Sequence, residues 1–419
     1  MSAAPVRSGT ADLALMGGGI PPWLFERMMR LGLHVTEAVV ADYGTAGFLS
    51  RVSDPFWFQS FASVIGMDWN SSGATTAVLR ALKRALNPRA ADLGLFVAGG
   101  KGNESRRTPD ELARYGDRTG VDADALARAS RLSAKVDSAA VQDGHTVYIH
   151  AFVVSADGAW SVVQQGMDAE RGTARRYHWH SEAVQSFVSD PHAAICGRPG
   201  DDLLNLVDGA ADPPRTAMLD LTAERPAAVL KEAADMRLPT HHGVRKGDVD
   251  LTRLGAALHL AHERGVDDFE ELLLLRGVGA RTLQSLALVS EVVHGAPTRF
   301  RDPARFAFAH GGKGGTPFPV PTTVYDETIE TLRSAVERAK LGETDKAKAL
   351  RSLHRIATRL EEGFTPGDFF DATVARERAE SWRHGGRTAS GWAAPPGTEA
   401  ESSDADGPEA GDQLGLFGG

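Results

Sequence analysis

Two apolar segments on either side of a tight-turn dipeptide constrain the fold of this chain more than any other feature. Residues 145–167, HTVYIHAFVVSADGAWSVVQQGM, place runs rich in β-branched and aromatic side chains before and after Asp157-Gly158. Such side chains favour strands, and Asp-Gly favours the backbone of a two-residue hairpin turn. We therefore predict a β-hairpin here, with the following segment 174–182, ARRYHWHSE, as a further strand or a loop beside it.

Helical patterns surround this hairpin in the first half of the chain. Apolar residues recur at helical spacing through residues 20–90, and the short apolar run Leu93–Val97 predicts a strand that ends in a glycine loop. Thr108 followed by Pro109 and Glu111 predicts a helix start, with Thr108 as N-cap and Glu111 completing a capping box. Residues 1–215 are therefore predicted to form a mixed α/β domain.

The pattern changes at about residue 216. Residues 250–265 place apolar residues on one helical face, with Asp250 as N-cap and Gly265 as the stop. Residues 267–295 predict a helix, a tight turn and a second helix, and residues 326–362 predict one or two polar-faced helices. The expected fold class is thus an α/β N-terminal domain (1–215), an all-α helix-hairpin-helix domain (216–383) and a disordered acidic C-terminal tail (384–419). Residues 389–412 consist mostly of Ala, Gly, Ser, Pro and acids, which cannot bury enough apolar surface to offset chain entropy.

Charge and cysteine content exclude several classes of protein. The 419 residues carry a net charge of −9, and residues 388–419 hold acids but no base, so any contact with nucleic acid must be local. The single cysteine, Cys196, excludes an internal disulfide and a multi-cysteine zinc site. No signal peptide begins the chain and no apolar run approaches the roughly 18–20 residues that cross a bilayer. We expect a cytoplasmic protein without a membrane partner.

The segment 275–282, LRGVGART, is the clearest internal motif, because it resembles the helix-hairpin-helix motif of DNA-binding proteins. Glycines allow a tight turn and a close backbone approach to phosphate, and the start of the second helix favours an anion. The DNA-binding residues expected here are Gly277, Val278, Gly279, Arg281 and Thr282. Apolar residues on either side would pack the two helices together; they are Leu272, Leu275, Leu283, Leu286 and Val289. The alternative is a plain helical hairpin with a glycine turn.

A second resemblance extends downstream, to DNA glycosylases of the helix-hairpin-helix class. In those enzymes a Gly/Pro-rich loop and a catalytic Asp follow the hairpin, and Gly295-Ala296-Pro297 and Asp302 occupy similar positions here. The lysine of the lyase members is replaced by Arg281, which cannot form a Schiff base, so the resemblance implies a monofunctional enzyme with Asp302 as its catalytic residue. The structural alternative is that Asp302-Pro303 caps a helix.

Other basic segments are candidates for contact with DNA. Two Gly-Gly-Lys-Gly loops, 99–102 and 311–314, place Lys101 and Lys313 where a phosphate could approach the backbone, although a flexible turn explains them equally well. Arg175 and Arg176 are interleaved with aromatic residues, a pattern that suits stacking on unpaired bases. An amphipathic strand at a domain interface would show the same pattern.

Metal chemistry is a further alternative. Acids flank the predicted strands at Asp137, Asp143, Asp157 and Asp168, and converging acids would indicate a two-metal nuclease, although turn acids are commoner. The set His178, His180, His192 and Cys196 fits no standard metal-ligand spacing. We therefore predict no resident metal and no cofactor, with a divalent metal required only if the protein is a nuclease.

Apolar residues reappear at the very end of the acidic tail. The pentapeptide 413–417 resembles the short motif by which bacterial repair and replication proteins bind the sliding clamp. In that motif the glutamine contacts a pocket rim and the leucines and phenylalanine fill an apolar groove, so the resemblance implies clamp contacts by Gln413, Leu414, Leu416 and Phe417. A few anchors on a disordered tether can bind in this way while leaving the folded body free.

Six separated blocks resemble the archaeal and bacterial family catalogued as domain of unknown function 763. The resemblance covers about residues 8–370, and it implies no assigned activity. One position departs from the family pattern, because Gly314 stands where an acid would follow the lysine of the second loop. The blocks are ADLALMGGGIPPWLFERM, DPFWFQ, LGLFVAGGKG, VVQQGM, ARRYHW and DPARFAFAHGGKGGTPFPV.

These observations favour a nucleoid-associated DNA-repair protein that binds DNA through the hairpin and is recruited by the sliding clamp. Within that class we favour an enzyme performing glycosylase-like base excision. The alternatives are a metal-dependent nuclease that uses acids of the N-terminal domain, and a non-enzymatic adaptor that binds particular DNA structures.

Overall fold

The computed structural model describes residues 13–14, 20–67, 72–197, 200, 202–235, 250–300, 302–304, 322–339, 342–361, 387–388 and 391–392. The chain divides into two compact units, Met1–Phe364 and Thr365–Gly419. In the second unit the described residues form two short antiparallel strands, Arg387–Thr388 and Gly391–Trp392. The tail motif at 413–417 lies outside the described residues.

The first unit contains both strands and helices. Its strands are β1 Leu13–Ala14, β2 Leu95–Lys101, β3 Thr146–Ser155, β4 Trp160–Asp168, β5 Thr173–His180, β6 Ala194–Cys196, β7 Leu203–Leu204 and β8 Arg299–Phe300. Its helices are α1 Pro22–Ser53, α2 Pro55–Val64, α3 Ser72–Leu86, α4 Ala90–Leu93, α5 Asn103–Arg106, α6 Thr108–Thr119, α7 Ala123–Lys135, α8 Asp212–Ala223, α9 Pro226–Asp235, α10 Leu251–Arg264, α11 Phe269–Leu274, α12 Ala280–His294, α13 Thr322–Arg338 and α14 Glu343–Glu361. A π-helical segment, Val136–Ala140, extends α7.

A six-stranded antiparallel sheet organises this unit. Its order is β1-β5-β4-β3-β2, and β6 also pairs with β5. The predicted β-hairpin is confirmed: β3 and β4 pair from Val154 opposite Trp160 outward, with Asp157-Gly158 in the turn. The segment that follows is a strand, since β5 pairs along β4 with Tyr177 opposite Gln164.

Helices cover both faces of this sheet, because each face presents its own apolar side chains. On one face Phe152, Val162 and Trp179 pack into a core with residues of α6, α7, α8, α10, α11 and α12. On the other face Ile149 and Val163 pack with α1, α2, α3, α13 and α14. The strands that carry the polar segments of the sequence are therefore buried from both sides.

The chain after residue 216 is mainly helical in the described ranges, with the short strand β8 paired to β7. Its helices share a core with the sheet, since Leu258, Leu272 and Leu286 cluster with Phe152 and Trp179. The structure thus shows a mixed fold of helices and an antiparallel sheet, and it does not confirm a separate all-α domain. None of the described helices is long and apolar enough to cross a membrane.

The predicted capping box at the start of α6 is wrong. The helix begins at Thr108 after Arg107, and no side chain caps its first turn. Glu111 instead accepts hydrogen bonds from the Lys83 ammonium at 2.8 Å and from the Gly99 amide at 2.9 Å. A long-range ion pair at the sheet edge therefore takes the carboxylate that the local pattern assigned to its own helix.

Candidate nucleic-acid interface

Helices α11 and α12 form a tight helical hairpin at the predicted motif. The connecting turn, residues 275–279, contains Gly277 with a φ of +90°, a conformation that L-residues rarely adopt. The Val278 amide donates to the Leu275 carbonyl at 3.2 Å, which closes the turn. The five apolar residues expected to pack the helices together, Leu272, Leu275, Leu283, Leu286 and Val289, are all buried.

The outer side of this turn is open. A Cβ atom built on Gly277 or on Gly279 would meet nothing within 4 Å. Arg276 and Arg281 are exposed on either side of the two glycines. Because the first amides of an α-helix lack intrahelical acceptors, the start of α12 presents N–H groups and the positive end of the helix dipole on this accessible surface.

Two of the predicted DNA-binding residues have a structural role instead. Val278 is 1% exposed and packs in the core beneath the turn. Thr282 is 2% exposed, and its hydroxyl donates to the Gly277 carbonyl at 3.2 Å. These residues shape the turn, while Gly277, Gly279 and Arg281 remain available at its surface.

Side chains distant in sequence hold the turn in place, and sequence analysis missed them. The Lys135 ammonium, at the end of α7, donates a short hydrogen bond to the Val278 carbonyl. The Gln142 amide donates to the Ala280 carbonyl at 2.7 Å. Burial lowers the pKa of Lys135 below its ordinary value. No local signal marks these residues, because their partners lie more than a hundred positions away.

Asp302 lies in a buried ion pair with Arg175. The guanidinium donates to Oδ1 at 2.9 Å and to Oδ2 at 2.5 Å. The amide of Ala304 donates to Oδ1 at 2.9 Å, and that of Gly200 to Oδ2 at 2.8 Å. Both carboxylate oxygens are therefore engaged, an arrangement typical of a structural carboxylate. The described residues 302–304 are not helical, so they show no helix start that Asp302 would cap.

Arg175 also joins Asp302 to a second buried carboxylate. Its guanidinium donates to Asp143 Oδ2 at 3.1 Å, and the Tyr177 hydroxyl donates to the same oxygen at 2.7 Å. Burial alone would raise the pKa of Asp143, but the His145 hydrogen bond, the Arg175 charge and the Tyr177 hydroxyl together lower it. Burial and the Asp143 charge raise the pKa of Tyr177 well above 10.0.

The prediction that Arg175 and Arg176 contact DNA is corrected by their burial. Successive residues of β5 point to opposite faces of the sheet, and helices cover both faces. Arg175 is 4% exposed and Arg176 is 0% exposed. The Arg176 guanidinium donates to His178 Nε2 at 2.9 Å and lies 4.7 Å from the centre of the Phe58 ring. Neither side chain presents a surface on which a base could stack.

The four strand-flanking acids do not form a single cluster, although Asp137 and Asp143 lie close enough for their charges to interact. Asp137 accepts from His192 at 2.5 Å and from the Trp179 indole at 3.0 Å, and burial raises its pKa. Asp143 belongs to the Arg175 network, while Asp168 accepts amide hydrogen bonds from the turn after β4. Asp157 lies in the turn of the β-hairpin. Among the residues that the structure describes, no three His, Cys, Asp or Glu side chains are arranged to hold a metal ion.

The first of the two Gly-Gly-Lys-Gly segments is not the predicted loop, because Gly99, Gly100 and Lys101 end strand β2 and pair with β3. In the first, Lys101 is exposed, with its ammonium 5.6 Å from the centre of the Tyr148 ring. Gly99 is required structurally, because a Cβ there would lie 2.2 Å from the His150 carbonyl oxygen. The second loop with Lys313, and the tail residues Gln413, Leu414, Leu416 and Phe417, lie outside the described residues.

Comparison with known proteins places most of the chain in one family. The family described as "Protein of unknown function (DUF763)" matches residues 9–320. No curated protein and no solved structure matches the chain. The match covers the sheet, the covering helices α1–α12 and the hairpin turn. This chain therefore belongs to the DUF763 family.

Proposed function

We propose that this protein binds DNA through the turn between α11 and α12 and acts in DNA repair. The observation that carries the proposal is the open turn: Gly277 and Gly279 leave the backbone accessible, and Arg276 and Arg281 lie exposed beside it. A phosphate oxygen can reach the first amides of α12 without meeting a side chain. Contacts of this kind hold a DNA strand in place without reading its sequence.

The surroundings of the turn support an anion ligand. Lys135 fixes the turn from behind through the Val278 carbonyl and adds a positive charge close to it. Gln142 fixes the start of α12 through the Ala280 carbonyl. A rigid turn with oriented amides loses little entropy when it binds a phosphate, which favours binding.

Recruitment to the sliding clamp by residues 413–417 is the second part of the proposal. It rests on the resemblance of Gln413, Leu414, Leu416 and Phe417 to clamp-binding peptides. The net charge of −9 gives little general attraction to DNA, so recruitment would supply the local concentration that the small DNA contact lacks.

Base excision by Asp302 is not part of this proposal. Both of its oxygens accept hydrogen bonds from Arg175 and from backbone amides, which leaves no oxygen directed at a sugar or a water. This observation favours the adaptor alternative, in which the protein binds DNA and the clamp without chemistry at Asp302.

The proposal predicts that Gly277→Ala with Gly279→Ala weakens DNA binding. The added methyl groups occupy the phosphate approach, and loss of one hydrogen bond to a charged group costs about 1.5–3 kcal/mol. Affinity should therefore fall at least about tenfold. The measurement is fluorescence anisotropy with a labelled duplex of about 20 base pairs, roughly two helical turns, over a range of salt.

Gly295→Ala is the matched control. Gly295 ends α12 with a φ of +69°, is exposed, and would also place its Cβ in open space. Gly295→Ala should cost about the same conformational energy as Gly277→Ala, about 1–2 kcal/mol, because each substitution places an alanine in a left-handed conformation. Equal loss of DNA binding in the control, or full affinity in the folded Gly277/Gly279 variant, would refute the assignment.

A further inference from the structure

Four exposed arginines face a cleft at the edge of the sheet, far along the chain from the hairpin. Arg80 and Arg84 lie one turn apart on α3, and Arg114 and Arg118 lie one turn apart on α6. They line two cavities of about 410 and 470 Å³ that adjoin each other, because both are lined by Lys83 and Asn87. These six residues define what we call the basic cleft.

The cleft crosses the edge strand β2. Helix α3 belongs to the helical layer on one face of the sheet and α6 to the layer on the other, and Phe96 of β2 lines the cavity between them. The two arginine pairs therefore approach the cleft from opposite sides. Each cavity falls in the size range of ligand pockets, about 300–1,000 Å³.

The polar side chains at the floor of the cleft already have hydrogen-bond partners. The Asn87 side chain accepts from the Val97 amide at 2.8 Å and donates to the Val97 carbonyl at 2.9 Å. Lys83 donates to the Gly99 carbonyl at 2.6 Å and pairs with Glu111. These hydrogen bonds occupy backbone groups of Val97 and Gly99 that another strand would need for pairing, so a β-strand ligand is disfavoured.

The four arginines, in contrast, give the cleft a net positive charge. None of them forms an ion pair with a residue that the structure describes, and together with Lys83 they outnumber the acids of the two cavities by five to three; the acids are Glu104, Glu111 and Asp117. Like charges one turn apart on a helix destabilise it. Arg80 and Arg118 lie over aromatic rings, with guanidinium carbons 4.9 Å from the centre of Phe25 and 5.8 Å from that of Phe96. The arrangement costs stability, and a bound polyanion would offset that cost.

We infer that the basic cleft binds an unpaired DNA strand through its sugar–phosphate backbone. A concave groove with arginines on both walls suits a single strand, and a duplex about 20 Å wide is too large to enter cavities of this size. Arginine forks match phosphate oxygens in geometry as well as charge. The inference rests on the proposed function in taking DNA as the ligand, and it adds a second contact that would separate strands or hold one already separated.

The test compares single-stranded and duplex DNA on the full chain. A labelled oligo(dT) of about 20 nucleotides exceeds the roughly 4–16 that one such site covers, and a blunt duplex of the same length serves as the second probe. The variants are Arg80→Gln with Arg84→Gln, Arg114→Gln with Arg118→Gln, and all four together. Glutamine keeps most of the aliphatic stem and removes the charge. Arg225→Gln with Arg264→Gln is the matched control, because both arginines are exposed and neither lines the cleft.

Each pair of substitutions should weaken oligo(dT) binding about tenfold, and the four together about 100-fold. The slope of log affinity against log salt should fall by about 0.7 for each lost contact, or about 3 for all four. Duplex binding should change less than about twofold, and the control should bind both probes like the parent protein. The melting temperature should stay level or rise, because like-charge pairs are removed.

Several results would overturn the inference. Unchanged oligo(dT) affinity and salt slope in the fourfold variant would do so, as would an equal loss of duplex binding, or tighter binding of an oligo(U) RNA of the same length. If Gly277→Ala with Gly279→Ala removes duplex binding while the cleft variants keep oligo(dT) binding, only the cleft is refuted. A parent protein that binds neither probe refutes both the cleft and the hairpin.

Discussion

Replacing Asp302 by asparagine separates a structural carboxylate from a catalytic one. The carboxylate accepts from the Arg175 guanidinium at 2.9 and 2.5 Å and from the amides of Gly200 and Ala304. Asparagine removes the charge and turns an –NH₂ group toward donors that are already there. Among the carboxylates that the structure describes, the buried Arg175 then keeps Asp143, at 3.1 Å, as its partner.

The expected cost is substantial because the pair is buried. Removing one partner of a buried ion pair costs about 3–5 kcal/mol. Since Asp143 still compensates part of the Arg175 charge, we expect the lower end, about 3 kcal/mol. The unit Met1–Phe364 has an unfolding entropy of about 0.76 kcal/mol/K, at about 2.1 cal/mol/K per residue, so this cost corresponds to a fall in melting temperature of about 4 °C.

Chemical and thermal unfolding of the variant measure this cost directly. The matched control is Asp268→Asn, because Asp268 is exposed and caps α11 by accepting from the Glu271 amide at 3.0 Å. Asparagine caps a helix about as well as aspartate, so the control should lose less than about 0.5 kcal/mol. A loss below about 1 kcal/mol for Asp302→Asn would refute the structural interpretation. Base-release activity that disappears in a variant of normal stability would restore the catalytic one.

Two further predictions concern pH and the tail. The pKa of buried His150 is lowered from 6.5 to about 4, mainly by desolvation, so the unfolded chain binds the extra proton between these values. The contribution of neutral His150 to the free energy of unfolding is therefore complete above pH 6.5 and is lost as the pH falls toward 4. The loss is up to about 3 kcal/mol, at 1.36 kcal/mol per pKa unit. Denaturant titrations at several pH values should show that the free energy of unfolding depends less on pH in His150→Gln than in the parent protein. An unchanged pH dependence would contradict the lowered pKa of His150. A peptide of residues 408–419 should bind a bacterial sliding clamp in the micromolar range, about −8 kcal/mol or weaker, and Leu416→Ala with Phe417→Ala should abolish this binding. Calorimetry that detects no binding at high-micromolar clamp would reduce the motif to chance similarity.

Local sequence determined the elements whose signals are local. Asp157-Gly158 between two β-rich runs predicted the β3–β4 hairpin, because the turn type is set by the two residues of the turn and the runs lie directly beside it. The α11–α12 turn was predicted for the same reason: Gly277 supplies the positive φ, and the apolar residues around it recur at helical spacing. The family was also identified from short blocks of sequence, and the match over residues 9–320 confirms it.

The tertiary structure alone decided which polar side chains are buried and which meet a partner. Arg175 and Arg176 resemble nucleic-acid contacts in sequence, yet β5 lies inside a sheet covered on both faces. A charge can be buried there only if distant partners compensate it, and Asp143 and Asp302 are far from Arg175 along the chain. Lys135 beneath the hairpin turn and the arginine pairs across the sheet edge became neighbours in the same way. Sequence spacing carries no record of such contacts, because they form only when separate elements pack together.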